Sequence, residues 1–223
     1  GDVSLLKKQM EAVCALPKDF LFLNYLRCHD DIGWGLDYKW LKERFGTDEV
    51  AHKKYLNDYF TGQWPGSRSR GELYNDDPGL GDARLCGTTA SLCGVEAAVY
   101  EQDSFQLERA VSCDLTLHAW MLSQSGIPVI YSGDEVGQLN DYTYHDAPEK
   151  REDSRYIHRG AFQWDLAALR EDGATRQGKQ FQGLRRLEAL RAQEPCFDGR
   201  ADVRVEESGS PHVLALCRQV DGR

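Results

Sequence analysis

Two short, almost continuously apolar runs, at residues 20–26 and 127–131, constrain the fold of this chain more than any other feature. Both are too short for a buried helix, and apolar residues at nearly every position are typical of a parallel strand covered on both faces. Residues 103–124 carry apolar side chains at helical spacing and lead into the second run, and residues 3–16 predict a further helix before the first. The pattern predicts an α/β fold with a strand, a helix and a strand in succession.

A long insertion separates the first predicted strand from the helix that follows it. Residues 33–98 far exceed the usual length of such a connection and are rich in glycine and aromatic residues. Two short helical patterns lie within them, at residues 38–45 and 48–60. We interpret residues 33–98 as an inserted subdomain, and we expect the polar residues 133–160, after the second strand, to form a loop.

The chain changes character after its last predicted helix, at residues 178–193. Two short apolar runs, at residues 203–205 and 213–216, flank a polar turn, which is the pattern of a β-hairpin. We therefore predict that residues 1–195 form one α/β unit that contains the insertion. Residues 196–223 are predicted to begin an all-β domain.

Charge and hydropathy exclude two classes of partner. The chain has 27 basic and 36 acidic residues, a net charge of -9, whereas binding to a phosphate backbone needs a clustered basic face. No apolar run approaches the roughly 20 residues that cross a bilayer, and no signal-peptide pattern opens the chain. We expect neither a nucleic-acid partner nor a membrane partner.

Seven cysteines are scattered along the chain, and none has the CxxC spacing of a zinc site or a redox motif. We expect no metal and no cofactor, and we expect most of the cysteines to be small buried hydrophobic residues. This usage favours a reducing compartment, so a cytoplasmic location is predicted, with secretion as the alternative.

Polar residues follow the first predicted strand directly, in the sequence Arg-Cys-His-Asp-Asp at residues 27–31. In parallel α/β barrels the carboxyl ends of the strands line the active site, so these residues are candidates for chemistry. Taken alone, the triplet at residues 29–31 is also compatible with a solvated acidic turn. A metal-dependent phosphohydrolase of the helical HD type is excluded, because that site needs the His-Asp pair within a helix and a histidine upstream, whereas residues 1–28 contain none.

Four ordered motifs resemble those of one enzyme family. NYLRCHDDIGW, at residues 24–34, resembles the seventh-strand motif of amylosucrases, within the α-amylase family of glycoside hydrolases. IPVIYSGDEVGQLN, at residues 127–140, is similar to their eighth strand and its loop, and Asp-Ser-Arg at residues 153–155 falls where their following loop has it. GDARLCGT, at residues 81–88, is similar to a further motif within the insertion.

This resemblance implies the C-terminal part of a (β/α)8 TIM barrel, namely its seventh and eighth strand–helix units with the long inserted subdomain, followed by the start of a β-sandwich domain. A complete barrel takes about 250 residues. In the family the nucleophilic aspartate and the acid/base glutamate lie on the fourth and fifth strands, which would precede residue 1. We therefore expect the chain to be a C-terminal fragment of a longer enzyme and to be inactive on its own.

The resemblance also implies roles for five residues. Asp30 matches the third catalytic carboxylate of the family, which grips sugar hydroxyls more tightly as an oxocarbenium-like state develops. His29 matches a residue that donates a hydrogen bond to the same glucosyl ring. Asp31 and Arg84 match residues on the fructosyl or acceptor side, and Arg155 matches one beneath the glucosyl ring, whose aspartate partner would lie upstream of residue 1. For the two arginines, a surface or loop-tethering salt bridge is the alternative.

The activity implied is cleavage of sucrose with transfer of the glucosyl unit to an α-glucan, another sugar acceptor or water. Sucrose hydrolysis, sucrose or trehalose isomerisation, and a non-catalytic carbohydrate-binding fragment remain alternatives. Lys53 stands where the best-known amylosucrases place an arginine that touches a sugar outside the pocket, and lysine lacks that fork. Asp134 and Glu135 are expected to serve loop architecture rather than catalysis.

Overall fold

The computed structural model describes residues 1–220 of the chain as a mixed α/β structure. Its helices are α1 (Ser4–Cys14), α2 (Tyr38–Phe45), α3 (Glu49–Phe60), α4 (Thr89–Leu92), α5 (Val95–Tyr100), α6 (Ser104–Ser123), α7 (Trp164–Ala167) and α8 (Arg176–Gln193). Its strands are β1 (Leu23–Asn24), β2 (Glu72–Asp77), β3 (Asp82–Cys86), β4 (Ile127–Pro128), β5 (Asp202–Glu206) and β6 (Ala215–Gln219). Short 3-10 helices lie at Asp134–Val136, Tyr142–Asp146, Ser154–His158, Ala168–Glu171 and Pro195–Phe197.

The two strands predicted from the apolar runs pair with each other in parallel. Leu23 lies opposite Ile127 and Asn24 opposite Pro128. The N–H of Ile127 donates to the carbonyl of Phe22, and the N–H of Val129 donates to that of Asn24, both at 2.8 Å. Gly126, at φ 114°, lies so close to the carbonyl oxygen of Phe22 that a Cβ would collide with it. Because α6 lies between them along the chain, the predicted strand, helix and strand succession is present.

These strands are shorter and more exposed than the sequence predicts. The paired segments have two residues each, against predicted runs of 20–26 and 127–131. Leu23 is 64% exposed and Ile127 is 52% exposed, so the expected cover on both faces is wrong for the described residues. The cause is that β1 and β4 have only each other as strand partners in residues 1–220. An apolar run in the sequence predicts a strand that is stable when buried, but it does not show which residues bury it.

The insertion contains both predicted helices and a hairpin that the sequence did not predict. Asp37 and Asp48 cap α2 and α3, accepting hydrogen bonds from the N–H groups of Trp40 and Ala51, as short acidic side chains do at helix starts. Strands β2 and β3 follow and pair antiparallel. Strand β2 has the sequence ELYNDD, whose polar residues obscure the alternation by which strands are usually recognised.

Strand β3 also joins the chain just after β1. Ile32 and Leu85 exchange two backbone hydrogen bonds, of 2.9 Å and 2.8 Å. Leu85 is 2% exposed, so the bridge lies in the interior. The inserted hairpin is thereby fixed against residues 27–33, where the candidate site residues lie.

Helices α6 and α8 pack together behind the parallel strands. Asp103 caps α6 by accepting from Gln106 N–H, and Thr175 caps α8 by accepting from Gly178 N–H, so α8 begins two residues before the predicted start at 178. The expected loop at residues 133–160 contains no α-helix or strand, and three short 3-10 helices lie within it.

The predicted C-terminal hairpin is present as the antiparallel pair β5 and β6. It lies against α1, since the N–H of Val3 donates to Pro211 O at 2.8 Å, and the Lys7 ammonium donates to Ser208 Oγ at 2.9 Å and to Ser210 O at 2.8 Å. The division into residues 1–195 and 196–223 stays a prediction, and residues 221–223 of the second unit lie outside the described residues.

The cysteines differ from expectation. Cys86 is buried and Cys113 is exposed, whereas the other five are partly buried. Helical geometry explains Cys113, because α6 is long and has a solvent-facing side. In residues 1–220 no helix combines the length and apolar character needed to cross a membrane.

Candidate active site

The candidate carboxylate Asp30 lies at the exposed end of the segment that follows β1. Its Oδ1 accepts hydrogen bonds from the N–H of Asp31 at 3.0 Å and from Nη1 of Arg155 at 3.2 Å. These two bonds hold the pKa of Asp30 below its usual value. The side chain is 53% exposed. Asp30 is therefore an ionised carboxylate that is open to solvent.

Arg155 is held on three sides. Its Nε and Nη2 donate to the two oxygens of Asp153, at 2.8 Å and 2.9 Å, in the bidentate geometry that carboxylates favour. The ring of Tyr74 lies under the guanidinium, 4.5 Å from its central carbon. The remaining nitrogen, Nη1, points to Asp30. Arg155 thus joins the 3-10 helix Ser154–His158 to the end of β1.

The guanidinium of Arg155 has two carboxylate partners in the described residues. Asp153 is two residues away, and the local 3-10 turn brings its carboxylate onto Arg155. Asp30 is the second partner. The pairing of Arg155 with an aspartate upstream of residue 1 stays a prediction, and a loop-tethering salt bridge stays its alternative.

Two further arginines, to which no specific role was assigned from the sequence, hold the backbone of the candidate segment. Nη2 of Arg27 donates to the carbonyl of Asp30 at 2.9 Å, and Nε of Arg159 donates to the carbonyl of His29 at 2.6 Å. Arg27 is only 2% exposed, so its charge is buried. Both residues fall inside or beside the quoted motifs, which was the available signal.

His158 is the neighbour of the buried Arg27. Its Nε2 lies 2.9 Å from Nη2 of Arg27, and its Nδ1 lies 3.2 Å from the N–H of Gly87. Burial and the adjacent Arg27 charge lower the pKa of His158 to about 3, so the ring is neutral at ordinary pH. A neutral imidazole accepts at one nitrogen, and its tautomer decides which of the two donors it satisfies.

Strand β3 places Arg84 beside the same segment. Arg84 lies opposite Tyr74 in the hairpin, and its guanidinium packs so closely over Gly33 that a Cβ there would collide with it. Arg84 is exposed, and no ion pair within residues 1–220 includes Arg84 or the carboxylate of Asp31. The alternative of a tethering salt bridge is therefore not seen for Arg84. The imidazole of His29 is also open to solvent.

The structure thus brings all five sequence-predicted residues to one end of β1. Asp30 and Arg155 are in contact, Asp31 and His29 flank Asp30 in the chain, and Arg84 lies over Gly33. The fixed charge of Asp30, the exposed imidazole of His29, and the guanidinium of Arg84, which has no ion-pair partner in residues 1–220, suit a polyhydroxylated ligand. No cluster of ligating side chains in the described range is arranged to hold a metal ion.

Asp134 and Glu135 serve the loop, as expected. Asp134 is 4% exposed, accepts from Thr89 Oγ1 at 3.1 Å, and lies 3.7 Å from Nε2 of His118. Asp114 Oδ1 lies 2.8 Å from the other ring nitrogen of that histidine. Burial opposes a charge on His118, but the two carboxylates outweigh it and raise its pKa to about 10. Glu135 accepts from the N–H of Gly133 at 2.7 Å.

Lys53 is tied into the insertion. Its ammonium lies 2.8 Å from Glu49 Oε1 and 3.9 Å from Asp82 Oδ1, and 5.4 Å from the ring centroid of Tyr38. These contacts give Lys53 a structural role on α3.

No family model matches the sequence. Among solved structures, the chain is similar to sucrose 6F-phosphate phosphorylase from Thermoanaerobacter thermosaccharolyticum, with a TM-score of 0.57 and 17% sequence identity. The alignment covers 99% of this chain and 38% of that one. The chain therefore shares its fold with part of that protein, and it spans less than two fifths of that protein's length.

Proposed function

We propose that this chain is the C-terminal part of a sucrose-acting enzyme of the α-amylase family, in which Asp30 stabilises the transition state of glucosyl transfer. The nucleophile and the acid/base would come from residues outside these 223. We refer to that whole protein as the complete enzyme. The observation that carries the proposal is the ionised, solvent-accessible Asp30 held by Arg155 at the end of β1.

The geometry supports a role for Asp30 in stabilising the transition state more strongly than the bound substrate. Glucosyl transfer develops positive charge on the sugar, and a fixed carboxylate near the ring gains interaction as that charge grows. Because Arg155 is already bound to Asp153, Asp30 keeps its position without reorganisation during the reaction. Arg27 and Arg159 hold the backbone on which Asp30 sits.

The remaining candidates are assigned to substrate. We propose that His29 donates to the glucosyl ring and that Asp31 and Arg84 face the fructosyl or acceptor side. Arg84 packs over Gly33, within reach of whatever binds beside the end of β1, and has no carboxylate partner in residues 1–220. Arg155 would lie beneath the glucosyl ring, with one of its nitrogens on Asp30.

The exposure of the apolar side chains at β1 and β4 supports the proposal that further residues of the complete enzyme cover these strands. Leu21, just before β1, is 65% exposed and Leu23, in β1, is 64% exposed, values that large apolar side chains rarely show in a folded protein. In a closed barrel, inward-pointing side chains of the other strands would pack on the inner face of β1 and β4, and flanking strands would pair with their edges. The likeness to 38% of a larger sucrose-related protein agrees with this proposal.

The proposal leaves several possible acceptors for the glucosyl unit, and each acceptor corresponds to a different reaction. An α-glucan, another sugar or water follows from the motifs, and inorganic phosphate is a second candidate. The guanidinium of Arg84, which has no carboxylate partner among residues 1–220, favours phosphate because arginine binds phosphate oxygens in a fork.

The test is to incubate the complete enzyme with sucrose and measure fructose release together with the fate of the glucosyl unit. Glucan, glucose and glucose 1-phosphate would report transfer to sugar, water and phosphate. Fructose release that depends on Asp30 is expected. If the complete enzyme does not cleave sucrose, the proposal is wrong.

A further inference from the structure

The buried side chain of Arg27 makes all of its hydrogen bonds through one nitrogen. Nη2 donates to the carbonyl of Asp30 at 2.9 Å and lies 2.9 Å from Nε2 of His158. In residues 1–220, Nε and Nη1 of Arg27 are buried and have no hydrogen-bond partner. Removing a cation from water costs free energy, and donors left without a partner add to that cost. This balance favours a role for Arg27 in holding Asp30 over a role in stability.

His158 is held on three sides. Its ring is 4% exposed, and the N–H of Gly87, the residue after β3, lies 3.2 Å from Nδ1. The hydroxyl of Tyr131 donates to the carbonyl of His158 at 3.1 Å. On the remaining side, Nε2 lies against Arg27. His158 therefore joins the inserted hairpin and the segment after β4 to the segment after β1.

The two ring nitrogens of His158 face two donors, but a neutral imidazole accepts at only one nitrogen. The contact with Arg27 is the shorter one, and a hydrogen bond from a charged donor is roughly twice as strong as one between neutral groups. A ring proton on Nε2 would also point at a positive charge. We therefore assign the ring proton to Nδ1, so that Nε2 accepts from Arg27.

We propose that His158 is a positioning residue for Asp30, in which Nε2 orients the guanidinium of Arg27 and the guanidinium holds the backbone carbonyl of Asp30. Nη2 of Arg27 has two hydrogens, one for each acceptor, so rotation of the guanidinium would break both bonds. A fixed backbone keeps the carboxylate of Asp30 within 3.2 Å of Nη1 of Arg155. The effect on catalysis rests on the proposed function, whereas the effect on Asp30 can be measured without sucrose.

The first experiment determines the tautomer of His158 from the nitrogen-15 shifts of its ring in the 223-residue chain. At neutral pH, Nδ1 is expected to have the shift of a protonated nitrogen and Nε2 that of an acceptor. A proton on Nε2, or shifts averaged between the two tautomers, would overturn the proposal. This measurement needs no substitution that could disturb folding.

The second experiment separates the two ring contacts by substitution in the same chain. The amide of glutamine reaches the position of Nε2, so His158→Gln keeps an acceptor for Arg27. The amide of asparagine reaches only the position of Nδ1, so His158→Asn keeps the contact with Gly87 alone. In a carbon-13 titration, the lowered pKa of Asp30 should rise in His158→Asn and stay at the parental value in His158→Gln. Equal titrations of Asp30 in the two variants would overturn the proposal.

The third experiment compares the same two variants in the complete enzyme. His158→Asn should lower kcat for fructose release by about 10-fold or more with little change in KM, whereas His158→Gln should retain most of kcat. An equal loss in both variants would show that the histidine is needed for structure alone and would overturn the proposal. If the complete enzyme does not cleave sucrose, the proposed function fails, and the tautomer and the Asp30 titration still decide whether His158 positions Asp30.

Discussion

The guanidinium of Arg155 donates a hydrogen bond of 3.2 Å to the carboxylate of Asp30, although 125 positions separate the two residues in the chain. Both oxygens of Asp153 hold the rest of the guanidinium. The candidate carboxylate therefore has a charged partner whose own orientation is fixed. This relationship links the loop after β4 to the end of β1, and it gives the candidate site properties that can be measured residue by residue.

Replacing Arg155 by glutamine should raise the pKa of Asp30. The ordinary pKa of Asp is about 3.9, and bonds from Asp31 N–H and Arg155 lower it in the protein. Without Arg155 the carboxylate should protonate at higher pH than in the parent chain, which a carbon-13 titration of the Asp30 carboxyl would show. Arg151→Gln, which removes an arginine paired with the exposed Glu152, should leave that titration unchanged. An unchanged pKa in Arg155→Gln would mean that the contact is absent in solution.

In the complete enzyme, Arg155→Ala and Asp31→Ala should have different effects. Arg155→Ala is expected to raise the KM for sucrose and to lower kcat/KM by about 10-fold or more, because both glucosyl binding and the support of Asp30 are lost. Asp31→Ala should change mainly the ratio of transfer to hydrolysis. Steady-state kinetics with product analysis would separate these effects, and unchanged kinetics in both variants would remove Arg155 and Asp31 from the site.

The buried His118 should make the stability of the chain fall at alkaline pH. Its folded pKa of about 10 exceeds the unfolded value of about 6.5, so its contribution is complete below pH 6.5 and is lost as pH rises through 10. Asp114 on its own helix and Asp134 from the loop after β4 face the ring, and the neutral Thr89 and Gln180 bind these two carboxylates.

The matching substitution is His118→Gln, which leaves two buried carboxylates without a cation. It should lower the free energy of unfolding at neutral pH by about 3–5 kcal/mol and remove the alkaline decline. Urea unfolding between pH 6 and pH 10 would test this, with the exposed His212→Gln as control. A parental pH profile in His118→Gln would show that His118 is not the titrating group.

The exposed strand pair should make the isolated chain associate. Leu23 and Ile127 are both more than half exposed and adjacent across the pair, and such apolar edges favour contacts between molecules. Leu23→Thr with Ile127→Thr should reduce association in a concentration series by analytical ultracentrifugation, whereas Leu190→Thr, on the exposed side of α8, should not. A parent chain that stays monomeric at high concentration would count against the proposed missing cover.

Local sequence predicted the elements whose signals are local. Asp37, Asp48 and Asp103 cap α2, α3 and α6 close to the predicted starts, and the apolar runs identified the two strands that pair. The length and cover of those strands could not be predicted, because both depend on which neighbours are present. The hairpin of β2 and β3 was missed since its strands are polar and its position depends on the distant bridge between Ile32 and Leu85.

In the candidate site, too, some features could be predicted from the sequence and others could not. Motif resemblance assigned Asp30 and Arg155 to one sugar pocket, and it did not predict their contact. It did not predict that Asp153 holds Arg155, or that Arg27 and Arg159 hold the backbone carbonyls at positions 30 and 29. The contact of Arg159 with His29 forms only when the loop after β4 folds onto the end of β1, and neither segment carries a local pattern that specifies the other. The other two contacts join residues two and three positions apart, and they depend on turn conformations that the motifs do not specify.

The measurement that tests the central proposal most directly is the steady-state kinetics of Asp30→Asn in the complete enzyme with sucrose. Asparagine nearly preserves the shape of the side chain and removes its charge, so folding should be retained. We expect kcat and kcat/KM to fall together by about 100-fold or more, with little change in KM, because the lost interaction strengthens only as positive charge develops. A folded Asp30→Asn enzyme with near-parental kcat and a raised KM would show that Asp30 binds substrate without stabilising the transition state, and would contradict the proposed mechanism.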